Sequence, residues 1–210
     1  MNKALSRHRA LWSQKKLLAN LLLAGVIFVS SLLINQYANV YAASRASNSV
    51  SDIVLDNIPV VDVHLIYSEG AVLLIFLLIL ILLREPKYII FSIKAAAIFI
   101  LIRSFFIVLT HLATPIDELY INPNDFIQKF SKGQDLFFSA HTGFPFLFAL
   151  VFWQNKYFRY LFLVASAIGG TAVLLGHLHY SIDVFSAPFI AFGIFHIAKK
   201  LFPKDYKLTA

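Results

Sequence analysis

Three ionisable side chains stand at the two ends of a long apolar stretch of this sequence. His141 begins the stretch, and His179 and Asp183 end it. An imidazole can act as a nucleophile, base or acid near neutral pH, and a neighbouring carboxylate can fix its tautomer. The spacing of four residues predicts that His179 and Asp183 lie on one face of a helix, one turn apart. We therefore expect Asp183 to accept the Nδ1 proton of His179, which leaves Nε2 as the nucleophile or base.

The simpler interpretation of any one of these histidines is a side chain that caps a helix at a membrane interface. Three groups that converge at one membrane depth favour a functional site instead, because ionisable side chains inside a membrane are functional candidates. His141 also lies in the segment Ser139–Thr142, which we expect to begin a helix. The N–H groups and positive dipole end of a helix N-terminus suit a phosphate, so Ser139 is a candidate substrate-binding residue.

The composition indicates an integral membrane protein. The 210 residues are 59% hydrophobic and only 14% charged, with a mean hydropathy of +0.74, whereas soluble proteins average about 25% charged residues. Apolar runs such as Ala71–Leu83 are longer than a soluble core requires. Cysteine is absent, so disulfides and thiolate metal sites are excluded.

Apolar segments of about 20 residues predict an all-α bundle of six transmembrane helices in a single domain. Residues 1–16 are expected to form a basic cytoplasmic N-terminus, 17–203 the membrane domain and 204–210 a cytoplasmic tail. The predicted helices are 17–36, 62–83, 88–113, 142–155, 157–177 and 180–202. The first could be mistaken for a signal peptide that is cleaved near Asn39–Ser44. Its apolar core, Leu17–Ile34, exceeds the usual 7–15 residues or so, which favours a retained helix.

The distribution of basic residues predicts that both termini are cytoplasmic. Only three basic residues fall in the two long connections on the opposite side, namely Arg45, Lys129 and Lys132. Thirteen of the 18 lysines and arginines fall on the predicted inner side: Lys3, Arg7, Arg9, Lys15, Lys16, Arg84, Lys87, Lys156, Arg159, Lys199, Lys200, Lys204 and Lys207. The candidate site would then face the extracytoplasmic side. The net charge of +7 follows from topology, so nucleic acid is not expected as a partner.

Two motifs resemble the signature motifs of the sphingomyelin synthases, the lipid-transferase branch of the type-2 phosphatidic acid phosphatase superfamily. They are "GQDLFFSAHT" at Gly133–Thr142 and "HYSID" at His179–Asp183. Weaker echoes are "NIPVVD" at Asn57–Asp62 and "RSFFIVLTHL" at Arg103–Leu112. The resemblance covers about 57–200, with the motifs in matching order.

The resemblance implies a six-helix bundle that transfers a phosphocholine-type head group from a glycerophospholipid to ceramide. His179 would attack phosphorus and form a phosphohistidine, and Asp183 would orient it. His141 would protonate the departing lipid oxygen and then serve as base for the incoming hydroxyl. The partners would be a membrane phospholipid and a lipid alcohol, without a metal or other cofactor. The alternatives are a lipid phosphatase or phospholipase C-like hydrolase that uses water, and a non-enzymatic lipid carrier.

The sequence departs from the family pattern at two places. Ala140 stands where the family usually has glycine between Ser139 and His141. The cost would be about 1 kcal/mol if the position needs a positive φ, and almost nothing at the start of a helix. The stretch Val173–Leu178 lacks the arginine that the phosphatase branch carries before its nucleophilic histidine. This scarcity of cations favours a phosphodiester over a phosphomonoester dianion.

Four residues are candidates for substrate binding: Arg103, Ser139, Asp135 and Glu69. Arg103 is the best phosphate partner on the predicted third helix, although it could instead be neutralised by Glu69 or Asp62. These two carboxylates are seven residues apart, hence on one face of the predicted second helix, and could equally bind a head-group ammonium. Asp135 belongs to the first motif, but its chemistry suggests no role.

Two further expectations concern a possible metal and a lysine. Candidate metal ligands are His111, His141, His177, His179 and Asp183. Because residues two apart on a helix diverge by about 200°, His177 and His179 argue against a metal site. Lys94 lies within the predicted third helix and is expected to extend its side chain towards the inner interface.

Overall fold

The computed structural model describes residues 13, 15–121 and 136–209, and these ranges contain helices and loops but no strand. A π-helical turn at Leu65–Gly70 runs into the second helix, and short 3₁₀ turns lie at Leu55–Asn57 and Pro86–Tyr88. The α-helices of the described ranges are α1 (Lys15–Arg45), α2 (Ala71–Arg84), α3 (Ile89–Leu109), α4 (Ala140–Val151), α5 (Lys156–Leu175), α6 (Ser181–Leu201) and α7 (Pro203–Thr209).

Five helical segments of the described ranges are long and apolar enough to cross a membrane, which supports a multi-pass membrane protein. They are Lys15–Arg45, Leu65–Arg84, Pro86–Leu109, Lys156–Leu175 and Ser181–Leu201. The sixth expected span, α4, has only 12 residues. At about 1.5 Å per residue it is roughly 18 Å long, against a hydrocarbon core of about 30 Å. The structure therefore supports the all-α membrane class, with five segments of spanning length.

The short helix α4 lies at the centre of the bundle. It packs against α5 and α6 and touches α3, and eight of its twelve residues are buried. Fully buried phenylalanines fill the space around it, namely Phe91, Phe99, Phe138, Phe152 and Phe162. α1 lies along α3, where Ser104 Oγ donates a hydrogen bond to Asn35 Oδ1 at 3.2 Å.

Several helix boundaries differ from those predicted. α1 continues to Arg45, nine residues beyond its predicted end. The second span begins at Leu65, so Asp62 lies before it and accepts a hydrogen bond from His64 N at 3.0 Å. The fourth helix ends at Val151 because the chain turns, and the Asn155 side chain then caps α5.

The prediction for Lys94 is wrong, because this side chain is buried in the bundle. It is 3% exposed, and its Nζ donates to Asp205 Oδ2 at 2.7 Å and to Asn20 Oδ1 at 2.6 Å. Asn20 Nδ2 in turn donates to Asp205 Oδ1 at 2.6 Å. The three side chains join α1, α3 and α7. The C-terminal helix α7 supplies the carboxylate that makes burial of the ammonium tolerable.

Candidate active site

His179 and Asp183 are adjacent, but they do not share a helix face as the spacing predicted. α6 begins at Ser181 with Tyr180 as its N-cap, so His179 lies in the turn before the helix. This turn follows the end of α5 and includes His177, whose φ of 50° is left-handed. The distance from His179 Nδ1 to Asp183 Oδ2 is 3.5 Å. The tight turn, and not a helical repeat, brings the two side chains together.

Asp183 has a structural role as well as a position beside His179. Its Oδ2 accepts a hydrogen bond from the backbone N–H of Tyr180 at 3.0 Å, which is how a carboxylate in the first turn caps a helix. His179 and Asp183 are only 7% and 2% exposed, and His179 Nδ1 makes no hydrogen bond within the described structure. A hydrogen bond to Asp183 requires the nitrogen to approach by about 0.5 Å. Catalytic contacts are often this loose before substrate binds.

The start of α4 lies directly beside the start of α6. Ser139 N donates to the carbonyl of Asp183 at 3.0 Å, so a backbone hydrogen bond joins the ends of the two sequence motifs. Ser139 is fully buried and receives a weak hydrogen bond from Thr142 Oγ1 at 3.4 Å. Ala140 is the first residue of α4, and its φ is not positive. The replacement of glycine by alanine is therefore accommodated without backbone strain.

His141 is held by the π-helical turn that precedes α2. Its Nε2 lies 3.1 Å from the backbone carbonyl oxygen of Tyr67, and the two rings stack with centroids 4.3 Å apart. Because a carbonyl can only accept, Nε2 must carry the proton of this hydrogen bond. Nδ1 is then the nitrogen that can gain and lose a proton. The sequence gives no signal for Tyr67, since ring stacking across two helices leaves no spacing pattern.

Arg103 reaches the segment that leads into α4. Its Nε donates to the carbonyl of Phe138 at 2.8 Å, and the residue is 5% exposed. The alternative pairing of Arg103 with Glu69 or Asp62 is wrong within the described residues. Glu69 is exposed and its carboxylate lies 3.8 Å from His64 Nδ1. The side chain of Asp62 accepts a hydrogen bond from His64 N instead.

The remaining candidate for substrate binding, Asp135, lies outside the described residues. The described contacts bring Ser139 and Arg103 to the start of α4. Glu69 follows Tyr67 by two residues but points its carboxylate to the exposed surface of the π-helical turn.

A carboxylate that the sequence analysis did not select holds the first turn of α6. Asp52 Oδ2 accepts a hydrogen bond from Ser181 N at 2.7 Å, and Oδ1 accepts from Val54 N at 2.9 Å and Leu55 N at 3.2 Å. Burial by itself would raise the pKa of the Asp52 carboxyl, but the hydrogen bonds from Ser181, Val54 and Leu55 outweigh it and hold the pKa below its ordinary value. Asp52 is therefore ionised at neutral pH. No local pattern could reveal it, since Ser181 is 129 residues away.

Tyr180 is a second residue that the sequence analysis did not select. Its hydroxyl donates to the carbonyl of Ala113 at 2.9 Å and accepts from Val50 N at 3.2 Å. The residue is 2% exposed. Tyr180 thus ties the turn between His179 and α6 to the two connections that follow α1 and α3.

The candidate metal ligands do not form one set. Within the described ranges, no three histidine, aspartate or glutamate side chains gather as a metal site would require. His177 is buried and its Nε2 has no hydrogen-bond partner in the described structure.

The candidate catalytic residues lie within one segment of the chain that matches a family model. Residues 133–200 match the family model described as PAP2 superfamily C-terminal, and this segment contains Ser139, His141, His179 and Asp183. Neither a curated protein nor a solved structure matches the chain. The match supports the type-2 phosphatidic acid phosphatase superfamily, whose members are mostly phosphatases and phosphotransferases. The match does not distinguish the sphingomyelin synthase branch from the other branches of that superfamily.

Proposed function

We propose that this protein is a membrane lipid phosphotransferase that moves a phosphocholine or phosphoethanolamine head group from a phospholipid to a lipid alcohol such as ceramide. The observation that carries the proposal is the buried pair of His179 and Asp183, with Nδ1 and Oδ2 3.5 Å apart, beside the start of α4. A carboxylate aimed at one imidazole nitrogen orients the other nitrogen as a nucleophile. A protein that only carried lipids would gain nothing from such a pair.

In the first half-reaction, Nε2 of His179 attacks the phosphorus of the phospholipid. A bond forms between nitrogen and phosphorus as the bond from phosphorus to the glycerol oxygen breaks. Asp183 accepts the Nδ1 proton of His179 in a hydrogen bond that stabilises the positive charge on the ring. His141 starts this step protonated on both ring nitrogens, donates its Nδ1 proton to the leaving oxygen and keeps its Nε2 proton on the carbonyl of Tyr67, and diacylglycerol departs. The product is a phosphohistidine that carries the head group.

In the second half-reaction, His141 acts as the base. Its Nδ1 takes the proton of the acceptor hydroxyl, whose oxygen attacks phosphorus while the bond to His179 Nε2 breaks. The head group is then attached to the acceptor, and both histidines return to their initial protonation states. Water in place of the lipid alcohol would release the phosphorylated head group instead.

The start of α4 is the better of the two helix N-termini for the phosphate. The first turn of α6 is already occupied by the carboxylates of Asp52 and Asp183, which would repel an anion. No side chain caps the N-terminus of α4, and helix N-termini attract phosphate. Arg103 donates to the carbonyl of Phe138, close to this end. One nearby cation suits the single negative charge of a phosphodiester.

We propose two acidic residues as binding partners for the cationic part of the head group. Glu69 presents an exposed carboxylate two residues from Tyr67, the residue that holds His141. A choline or ethanolamine ammonium could pair with it. Asp135 is proposed on the strength of its place in the first motif alone.

We further propose six membrane crossings, with both termini in the cytoplasm and the site on the extracytoplasmic side. The distribution of lysine and arginine supports this orientation. α4 can complete a crossing despite its length, because protein and not lipid surrounds most of it, and irregular backbone is tolerated at membrane depth where protein covers it. A reporter fused after Lys207 should be cytoplasmic, and an external reporter would require the opposite orientation.

A lipid phosphatase or phospholipase C-like hydrolase is the second candidate, because the superfamily match supports phosphatases as well as phosphotransferases. A head-group-labelled phosphatidylcholine or phosphatidylethanolamine, incubated with purified protein in vesicles with and without ceramide, separates the two. Transfer predicts labelled ceramide product and unlabelled diacylglycerol. Hydrolysis predicts water-soluble label whether or not ceramide is present. Unchanged lipids, together with redistribution between leaflets, would support the carrier.

A further inference from the structure

A groove of about 320 Å³ lies between the span Leu65–Arg84, α4 and α5. Its volume falls in the range of about 300–1,000 Å³ that is typical of small-molecule sites. Among the described residues that line it, His141 is the only ionisable side chain, and the others are apolar or glycine. The groove therefore leads from a candidate catalytic residue into an apolar space.

The direction of the groove follows from the residues along it. Near the start of α4 it is lined by Ile66, His141 and Gly169, and deeper in the bundle by Leu77 and Phe144. From Ile66 to Leu77 the chain advances eleven residues, or roughly 16 Å at about 1.5 Å per residue. One leaflet of the hydrocarbon core is about 15 Å thick, half of about 30 Å. The wall that the span Leu65–Arg84 contributes to the groove thus has about the length of one acyl chain layer.

The groove is open along its side. Leu73 and Ile168 form part of its lining, yet they are 56% and 50% exposed. In a chain that spans a membrane, such apolar surface faces lipid tails and not water. A water-soluble ligand would gain nothing from this surface, whereas a lipid could move into the groove sideways without leaving the bilayer.

We infer that this groove binds one acyl chain of the phospholipid substrate, with the glycerol end beside His141. The inference rests on the proposed function and adds the place and the length of the substrate's apolar part. His141 must reach the oxygen between phosphorus and glycerol, and that oxygen lies at the head of the acyl chains. A chain that fills the groove therefore brings the leaving oxygen to the proton donor.

The groove can be blocked at Ala165, a small residue of its lining on α5. Gly169 is less suitable, because any side chain there would collide with the backbone of His141. Ala165→Trp fills the groove, and Ala165→Leu is a milder version should the larger side chain prevent folding. Ala167→Trp is the matched control, since Ala167 lies on the same helix, is exposed and does not line the groove.

The first measurement does not depend on turnover. A phosphatidylcholine with a photoreactive group at the middle of one acyl chain is incubated with the protein in vesicles, irradiated, and the labelled peptides are identified. We expect labelling of the segments that contain Leu73 and Phe144, loss of this labelling in Ala165→Trp, and retention in Ala167→Trp. Labelling that is equal in both variants, or no labelling of these segments in the wild-type protein, would overturn the inference. This result stands whether or not the proposed reaction occurs.

The second measurement uses head-group release from phospholipids of different chain length. We expect Ala165→Trp to lower kcat/KM for a dioleoyl substrate at least about tenfold, equivalent to roughly 1.4 kcal/mol, and to leave a dihexanoyl substrate within about twofold. Ala167→Trp should leave both unchanged. An equal loss for both chain lengths would refute the acyl-chain site but not the reaction. Absence of turnover in the wild-type protein would refute the proposed function. The photolabelling result would still show whether an acyl chain binds in the groove.

Discussion

The carboxylate of Asp52 accepts a hydrogen bond from the backbone N–H of Ser181 at 2.7 Å, and Ser181 is the first residue of α6. Asp52 thereby fixes the start of α6. This first turn contains Asp183, and it begins two residues after His179. A negative charge at a helix N-terminus is favourable, which strengthens the contact. Asp52 is a positioning residue in this arrangement, because it acts on the candidate catalytic pair through the backbone.

Replacement of Asp52 by asparagine should lower kcat by about tenfold, with a smaller change in KM. Both carboxylate oxygens accept hydrogen bonds, and an amide keeps one acceptor only. The turn at His179 would lose its fixed position while the lipid groove stays intact. Asp56→Asn is the control, since Asp56 is an exposed residue of the same loop. Equal effects of the two variants, or an effect on KM alone, would argue against a positioning role.

The lowered pKa of Asp52 predicts a pH dependence of stability. A carboxyl whose pKa is depressed on folding stabilises the protein above its unfolded pKa, and this contribution disappears as the pH falls through the folded pKa. For Asp52 the loss is expected below about pH 3.8, its ordinary value. The difference in Tm between the wild type and Asp52→Asn in detergent should be present at pH 7 and shrink near pH 3. A difference that grew at low pH would contradict the assignment.

His179→Ala should abolish head-group release, because no covalent intermediate can form. The wild-type protein, quenched in acid or in base after brief exposure to head-group-labelled phospholipid, should carry label that is stable in base and labile in acid, as phosphoramidates are. The label should be absent from His179→Ala. Full activity of His179→Ala would refute the nucleophile and revive the carrier interpretation.

His141 and Asp183 should affect different features of the reaction. Loss of general acid–base help in His141→Ala is expected to slow turnover by about 10²–10⁴-fold, including formation of the intermediate, since the leaving oxygen needs a proton. Asp183→Asn can still accept the hydrogen bond from Tyr180 N, so the fold should persist while the orientation of His179 is lost. Thermal unfolding of both variants checks this. A collapse of Tm in Asp183→Asn would mean that its capping role dominates.

The buried cluster of Lys94, Asp205 and Asn20 should respond strongly to loss of one charge. Lys94→Gln leaves the Asp205 carboxylate buried and uncompensated, which costs about 3–5 kcal/mol. The double variant Lys94→Gln/Asp205→Asn removes both charges and keeps groups that can form hydrogen bonds, so most of the stability should return. Lys200→Gln, at an exposed position, is the control. Thermal unfolding in detergent measures all three, and additive losses in the double variant would count against a coupled pair.

The membrane class and the approximate positions of the helices could be predicted from the sequence because hydropathy is a local property. Runs of apolar residues specify α2, α3, α5 and α6 whatever surrounds them. The match in the boundaries is poorest at α1, which runs nine residues further than predicted. In this part of α1, small and polar residues such as Ala38 and Asn39 are buried. Packing along α3 stabilises the helix there, although the segment is too polar to be predicted as a membrane span.

The sequence by itself determined that this is a helical membrane protein. It also identified His141, His179 and Asp183 as candidates, because the types and order of the residues in the two motifs do not depend on the fold. The tertiary structure alone decided how these groups are held. It begins α6 at Ser181 so that the preceding turn pairs His179 with Asp183, stacks Tyr67 on His141, buries Lys94 against Asp205, and brings Asp52 to α6. The contacts of Tyr67, Asp205 and Asp52 join elements that are distant along the chain, and contacts of that kind arise from packing, which no local pattern of residues encodes.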